Sequence, residues 1–142
     1  MSEDRIERET LIAASLERVW SLVAQPGFWV DDTASVAGSA TEGEVLVVKN
    51  DHGQFPVLVV KVQPPRYLAY RWASAFAGQE PREDNSTLVE FTLSQEGDKV
   101  RLRVVESGFA ALAGSEELRS NAHRGNTDGW AQELEALRVR AE

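Results

Sequence analysis

The chain contains no cysteine. That excludes disulfides, thiolate metal sites and a thiol nucleophile. No apolar run approaches the roughly 18 residues that a membrane-spanning helix needs, so no span is expected. The opening stretch MSEDRIERE is charged and does not read as a signal peptide. With the missing cysteines, this makes the cytoplasm the expected location. Only two histidines occur, His52 in NDHG and His123 in AHRG, and neither has metal-ligand spacing. Both read as solvated loop residues. Basic residues are also scarce, with 15 Lys and Arg against 23 Asp and Glu and a formal charge of −8. They are dispersed along the chain, so nucleic acid is not an expected partner. A Gly-rich phosphate loop and a nucleophile elbow are both missing. Asp31-Asp32 reads as a loop beyond a helix, not as a cation site. No cofactor and no metal site is expected.

What remains is an ordinary globular composition, 42% apolar and 27% charged over 142 residues. That length is most simply one domain, residues 1–142, large enough to bury a core. Arg5 to Ala13 reads as a first strand. Ser15 caps a helix with Leu16, Val19, Trp20 and Val23 on its apolar face, and Pro26-Gly27 stops it. Ser35 to Thr41 is a weak strand. Glu44 to Asn50 and Val57 to Val62 are strong strands joined through NDHGQ. Pro64-Pro65 breaks the chain before a strand from Tyr67 to Trp72. A long polar loop follows, Ala73 to Ser86. Thr87 to Ser94 and Lys99 to Ser107 form a hairpin around Glu96-Gly97-Asp98. A short helical segment is expected near Ser115 to Ser120. A terminal helix then follows, with Thr127 or Asp128 as its cap. Trp130, Leu134, Leu137 and Ala141 draw one apolar stripe along it. Consecutive strands joined by short turns make the sheet antiparallel and the fold α+β. A long helix laid on such a sheet commonly encloses a cavity.

Candidate site residues come from strand phase. Val100, Leu102 and Val104 alternate with Arg101 and Arg103, and Glu106 is the next residue in the apolar phase. An inward carboxylate must pair, protonate or meet water. Glu106 is therefore a candidate ligand-binding or acid–base group, unless the strand ends first and releases it to solvent. Tyr70 and Trp72 share the phase of Leu68. They read as core packing or as cavity lining, and the Tyr70 hydroxyl needs a partner. The candidate cavity comprises Tyr70, Trp72, Phe91, Val104, Glu106, Trp130 and Leu134. Glu106 and Tyr70 are the two candidate catalytic groups, with no catalytic residue assigned. Arg8 or the Tyr70 hydroxyl is expected to offset the Glu106 charge. Arg8 shares the phase of Ile6 and Ile12, although an edge strand lets it reach solvent.

Four stretches together resemble a known superfamily. They are IAASLERVWSLV, QPPRYLAYRW, the pair TLVEFTL and VRLRVVESGF, and GWAQELEALR. Their order and spacing resemble the SRPBCC proteins, also called START-like or helix-grip. Within these the chain looks most like the family named after the C-terminal domain of the Hsp-90 ATPase activator. The resemblance implies a curved antiparallel sheet of about six to seven strands around a long C-terminal helix, with a cavity between them. Phe28-Trp29-Val30 stands where family members often carry a Trp-Trp corner. Three functions are compatible with the resemblance. The first is binding of a small hydrophobic or amphipathic ligand in the cavity. The second is a cyclase- or hydrolase-type reaction in the same space. The third is a co-chaperone-like module stimulating an Hsp-90-type ATPase. The oligomeric state stays open, a homodimer included.

Overall fold

The computed structural model describes residues 5–24, 42–43, 45–50, 53–72, 85–109, 112 and 114–142. The expected strand at Ser35–Thr41, Phe28-Trp29-Val30, Asp31-Asp32 and His52 lie outside them. The elements run β1 (Arg5–Ile12), α1 (Leu16–Val23), β2 (Val45–Asn50), β3 (Gly53–Gln63), β4 (Tyr67–Trp72), β5 (Thr87–Glu96), β6 (Lys99–Ser107) and α2 (Glu116–Ala141). Among the described residues the strands form one six-stranded sheet in the order β1-β6-β5-β4-β3-β2. Every neighbouring pair is antiparallel. The first strand thus returns to lie beside the last, and the two helices cover the inner face of the curved sheet. The architecture is α+β helix-grip, as the sequence implies.

Local chemistry explains the main boundaries. The Ser15 hydroxyl accepts a hydrogen bond from the Arg18 N–H at 3.1 Å, capping α1. Leu16, Val19, Leu22 and Val23 turn its apolar face into the core. Pro64 and Pro65, joined by a cis peptide bond, separate β3 from β4. Gly97, with φ of 64°, turns β5 into β6 in a conformation that favours glycine.

The terminal helix differs from the sequence expectation. The segment near Ser115–Ser120 and the terminal helix are one continuous helix of 26 residues. Ser115 caps it by accepting from the Leu118 N–H at 3.1 Å, and Glu116 and Glu117 complement its dipole. Thr127 and Asp128 are interior positions, and the Thr127 hydroxyl donates to the His123 carbonyl one turn back. The sequence suggested a break because Gly125, Asn126, Thr127 and Gly129 are poor helix formers. Each glycine costs about 1 kcal/mol relative to alanine. Burial of Trp130, Leu134, Leu137 and Ala141 against the sheet outweighs that cost. At the other end, Glu142 accepts from the Ala13 N–H at 2.9 Å, and Arg18 donates to the Arg140 carbonyl at 3.0 Å. The C-terminal end of α2 is therefore fixed to the β1–α1 corner.

The outer face carries exposed charge pairs. Arg101 lies between Glu9 (3.1 Å) and Glu96 (2.5 Å), and Arg103 pairs with Glu7. Such pairs add little stability in water. No helix of the described residues is long and apolar enough to cross a membrane.

Candidate functional site

The inner face gathers all seven residues of the expected cavity. Phe91 stacks edge-on against Tyr70, with ring centroids 6.3 Å apart, and against Trp130 at 5.7 Å. Val104 pairs with Phe91 across the β5–β6 ladder. Leu134 follows Trp130 by one helical turn, and both are buried. Trp72 and Trp130 meet at Glu106. Tyr70, Phe91, Val104 and Glu106 have no accessible surface.

Glu106 is the polar centre. The β6 phase continues without a break from Val100 to Glu106, so the carboxylate points inward at 0% exposure. Oε1 accepts from Trp130 Nε1 at 2.8 Å. Oε2 accepts from Trp72 Nε1 at 2.9 Å and from the Thr87 hydroxyl at 2.5 Å. Asn126 Nδ2 lies astride the group, 3.1 Å from each oxygen. The opposite amide orientation would set two acceptors face to face, so the NH2 must face the carboxylate. The donors come from three elements: β4, the start of β5, and α2.

Two effects oppose each other in this carboxyl group. Burial raises its pKa above the ordinary value of 4.5, while the donors from Thr87, Trp130, Trp72 and Asn126 pull it down. Burial is the larger effect. The two indole N–H groups can only donate, whereas the Asn126 amide can turn over to accept. The Thr87 hydroxyl can also accept, so a proton taken up by Oε2 has an acceptor there without any partner turning its amide over.

Arg8 does not serve Glu106. It lies exposed on the edge strand, its guanidinium donating to the Glu7 carbonyl. Among the described residues no Arg or Lys bonds Glu106, and the Tyr70 hydroxyl is not among its donors. Tyr70 and Glu106 occupy one cross-strand row with Val89 between them. Their backbones are therefore about 10 Å apart, two strand spacings. Neutral donors do what the sequence assigned to a cation or a phenol. Burial also pushes the Tyr70 phenol well above its ordinary pKa.

His123 also differs from expectation. It is not a solvated loop residue but a half-buried residue of α2, packed edge-on against Phe109 at 5.2 Å. Its Nε2 lies 3.1 Å from the Arg5 carbonyl. Two partners of Glu106 escaped the sequence reading, Thr87 and Asn126. Asn126 precedes Trp130 by four residues, which puts both on one face of a continuous helix. The assumed break between Ser120 and Thr127 hid that relation.

Residues 13–142 match the sequence profile of the family described as activator of Hsp90 ATPase homolog 1-like protein. The chain belongs to this family. Solved structures share its fold at low sequence identity. MLL2253 from Mesorhizobium loti is 24% identical with a TM-score of 0.72, covering 97% of this chain and 98% of that one. The Aha1 dimer from Colwellia psychrerythraea is 18% identical with a TM-score of 0.73, covering 97% and 96%. DynU16, a protein of the dynemicin biosynthetic locus, is 22% identical with a TM-score of 0.67, covering 94% of this chain and 47% of its own. No curated protein matches the sequence. The family assignment explains the helix-grip architecture, while the Glu106 cluster is read from this chain's own side chains.

Proposed function

We propose that this family member binds a small hydrophobic or amphipathic molecule between the inner face of the sheet and α2, around Glu106. The observation that supports the reading most is the Glu106 carboxylate itself, buried at 0% exposure among neutral donors from sheet and helix. Holding a helix on a sheet does not require a charge. Well-packed apolar side chains of similar volume do so without the desolvation cost. A carboxylate retained there, met by Trp72 and Trp130 with Phe91 and Tyr70 beyond Trp130 on the same inner face, fits a site where apolar contacts supply affinity and one polar group supplies orientation.

The test is solvent extraction and native mass spectrometry of the purified protein, followed by titration with a fluorescent hydrophobic probe. A co-purified small molecule, or saturable probe binding near one per chain with a change in tryptophan emission, supports the reading. Non-saturable probe binding with nothing extracted removes it.

A further inference from the structure

The Glu106 cluster also discriminates between ligand head groups, and this inference rests on the binding reading above. We infer that the site selects an amphiphile whose head donates a hydrogen bond, a hydroxyl or an ammonium group, and rejects carboxylate and other anionic heads. The head group takes the place of the Asn126 amide on Oε1 of Glu106.

The four donors are not equivalent. Thr87 is buried at 1% exposure, and Trp72 and Trp130 at 8% and 3%. Asn126 is half-buried, the least buried partner of the four. Its two contacts of 3.1 Å are also longer than the indole contacts of 2.8 and 2.9 Å. One N–H group shared over two oxygens is a weaker bond to each. Removing it leaves Oε2 with Trp72 and Thr87, but Oε1 with Trp130 alone. A carboxylate oxygen has room for two donors, so Oε1 gains a vacancy on the side Asn126 occupied. A ligand hydroxyl or ammonium fills it.

An anionic head does not. Glu106 is an acceptor-only group when ionised, and among the described residues no Arg or Lys bonds it. A second carboxylate there meets like charge in a low-dielectric interior, where repulsion is far stronger than in water. The excess of acidic residues over basic ones in the whole chain points the same way.

Decanol, decylamine and decanoate share one chain length and differ in the head. Calorimetric titration of the full chain at neutral pH should find decanol and decylamine binding at least about tenfold tighter than decanoate. The Asn126→Ala variant keeps a good helix former in place and clears the seat in advance. It should tighten decanol about threefold or more, because the amide no longer has to be displaced, and leave decanoate unchanged. Equal binding of the three probes, or tighter decanoate, overturns the head-group selection while the binding reading stands. Weaker decanol binding by Asn126→Ala overturns the seat. If none of the three binds saturably, both the selection and the binding reading fall.

Discussion

Replacing Glu106 by glutamine keeps the side chain's shape and changes one acceptor oxygen into an NH2 group. The two indole N–H groups approach different oxygens, Trp130 at Oε1 and Trp72 at Oε2. Whichever way the new amide turns, its NH2 faces one indole N–H. Asn126 can reverse its own amide to accept, and Thr87 can turn its hydroxyl to accept. An indole has no such freedom, so one buried donor stays unsatisfied in either orientation. An unsatisfied buried donor costs about 1–3 kcal/mol. A domain of this size loses about 2–4 °C in Tm per kcal/mol, so Glu106→Gln should melt roughly 2–12 °C lower. Urea unfolding of wild type and variant near pH 4.5, where the folded Glu106 carboxyl keeps its proton and glutamine relieves no buried charge, gives this difference directly. Adding Trp72→Phe removes one of the competing donors. The double variant should then be less destabilised than the sum of the single ones by about 1 kcal/mol, within the usual range for contacting pairs. A Glu106→Gln protein as stable as wild type near pH 4.5, with additive effects of Trp72→Phe, would refute this account of the cluster.

The pH dependence has a definite sign. Glu106 has a raised pKa in the folded protein, so the native state holds its proton longer than the unfolded one. Its contribution is fully present below about the ordinary value of 4.5 and is lost as pH rises through the raised folded value. Subtracting the Glu106→Gln stability curve from that of wild type should isolate this fall, since exposed Glu96 and Glu135, held low by Arg101 and Arg138, act in both proteins. In α2, a Cβ added at Gly125 meets no atom within 4 Å, so Gly125→Ala should stabilise by about 0.5–1 kcal/mol, read by urea unfolding. Ser115→Ala removes the α2 cap and should cost about 1 kcal/mol by the same assay.

Periodicity of two carried much of the fold into the sequence. β4 and β6 begin and end at the expected residues; a proline pair precedes β4, the Gly97 turn precedes β6, and buried residues alternate along β6. The same alternation aimed Glu106 inward. Its partners were hidden for different reasons. Thr87 meets Glu106 through the registers of Trp72 with Thr87 and Val89 with Glu106, and no local pattern sets such a register across a long connection. Asn126 was hidden because glycines marked a helix end where tertiary packing sustains the helix. Arg8 reaches solvent from the edge strand, as expected; what fails is the expected pairing with Glu106. Strand phase alone would aim it at the core, but an edge strand lets a charged side chain reach water.

The most direct test follows the indole N–H resonances of a nitrogen-15-labelled protein, with Trp72→Phe and Trp130→Phe used to assign two of its four tryptophans. If Glu106 is the buried acceptor at a ligand site, the Trp72 and Trp130 N–H signals should exchange slowly with solvent. Both should also shift together as decanol is added. Rapid exchange of both signals, or no response of either at saturating decanol, would contradict the proposal that this carboxylate is the polar centre of a binding site.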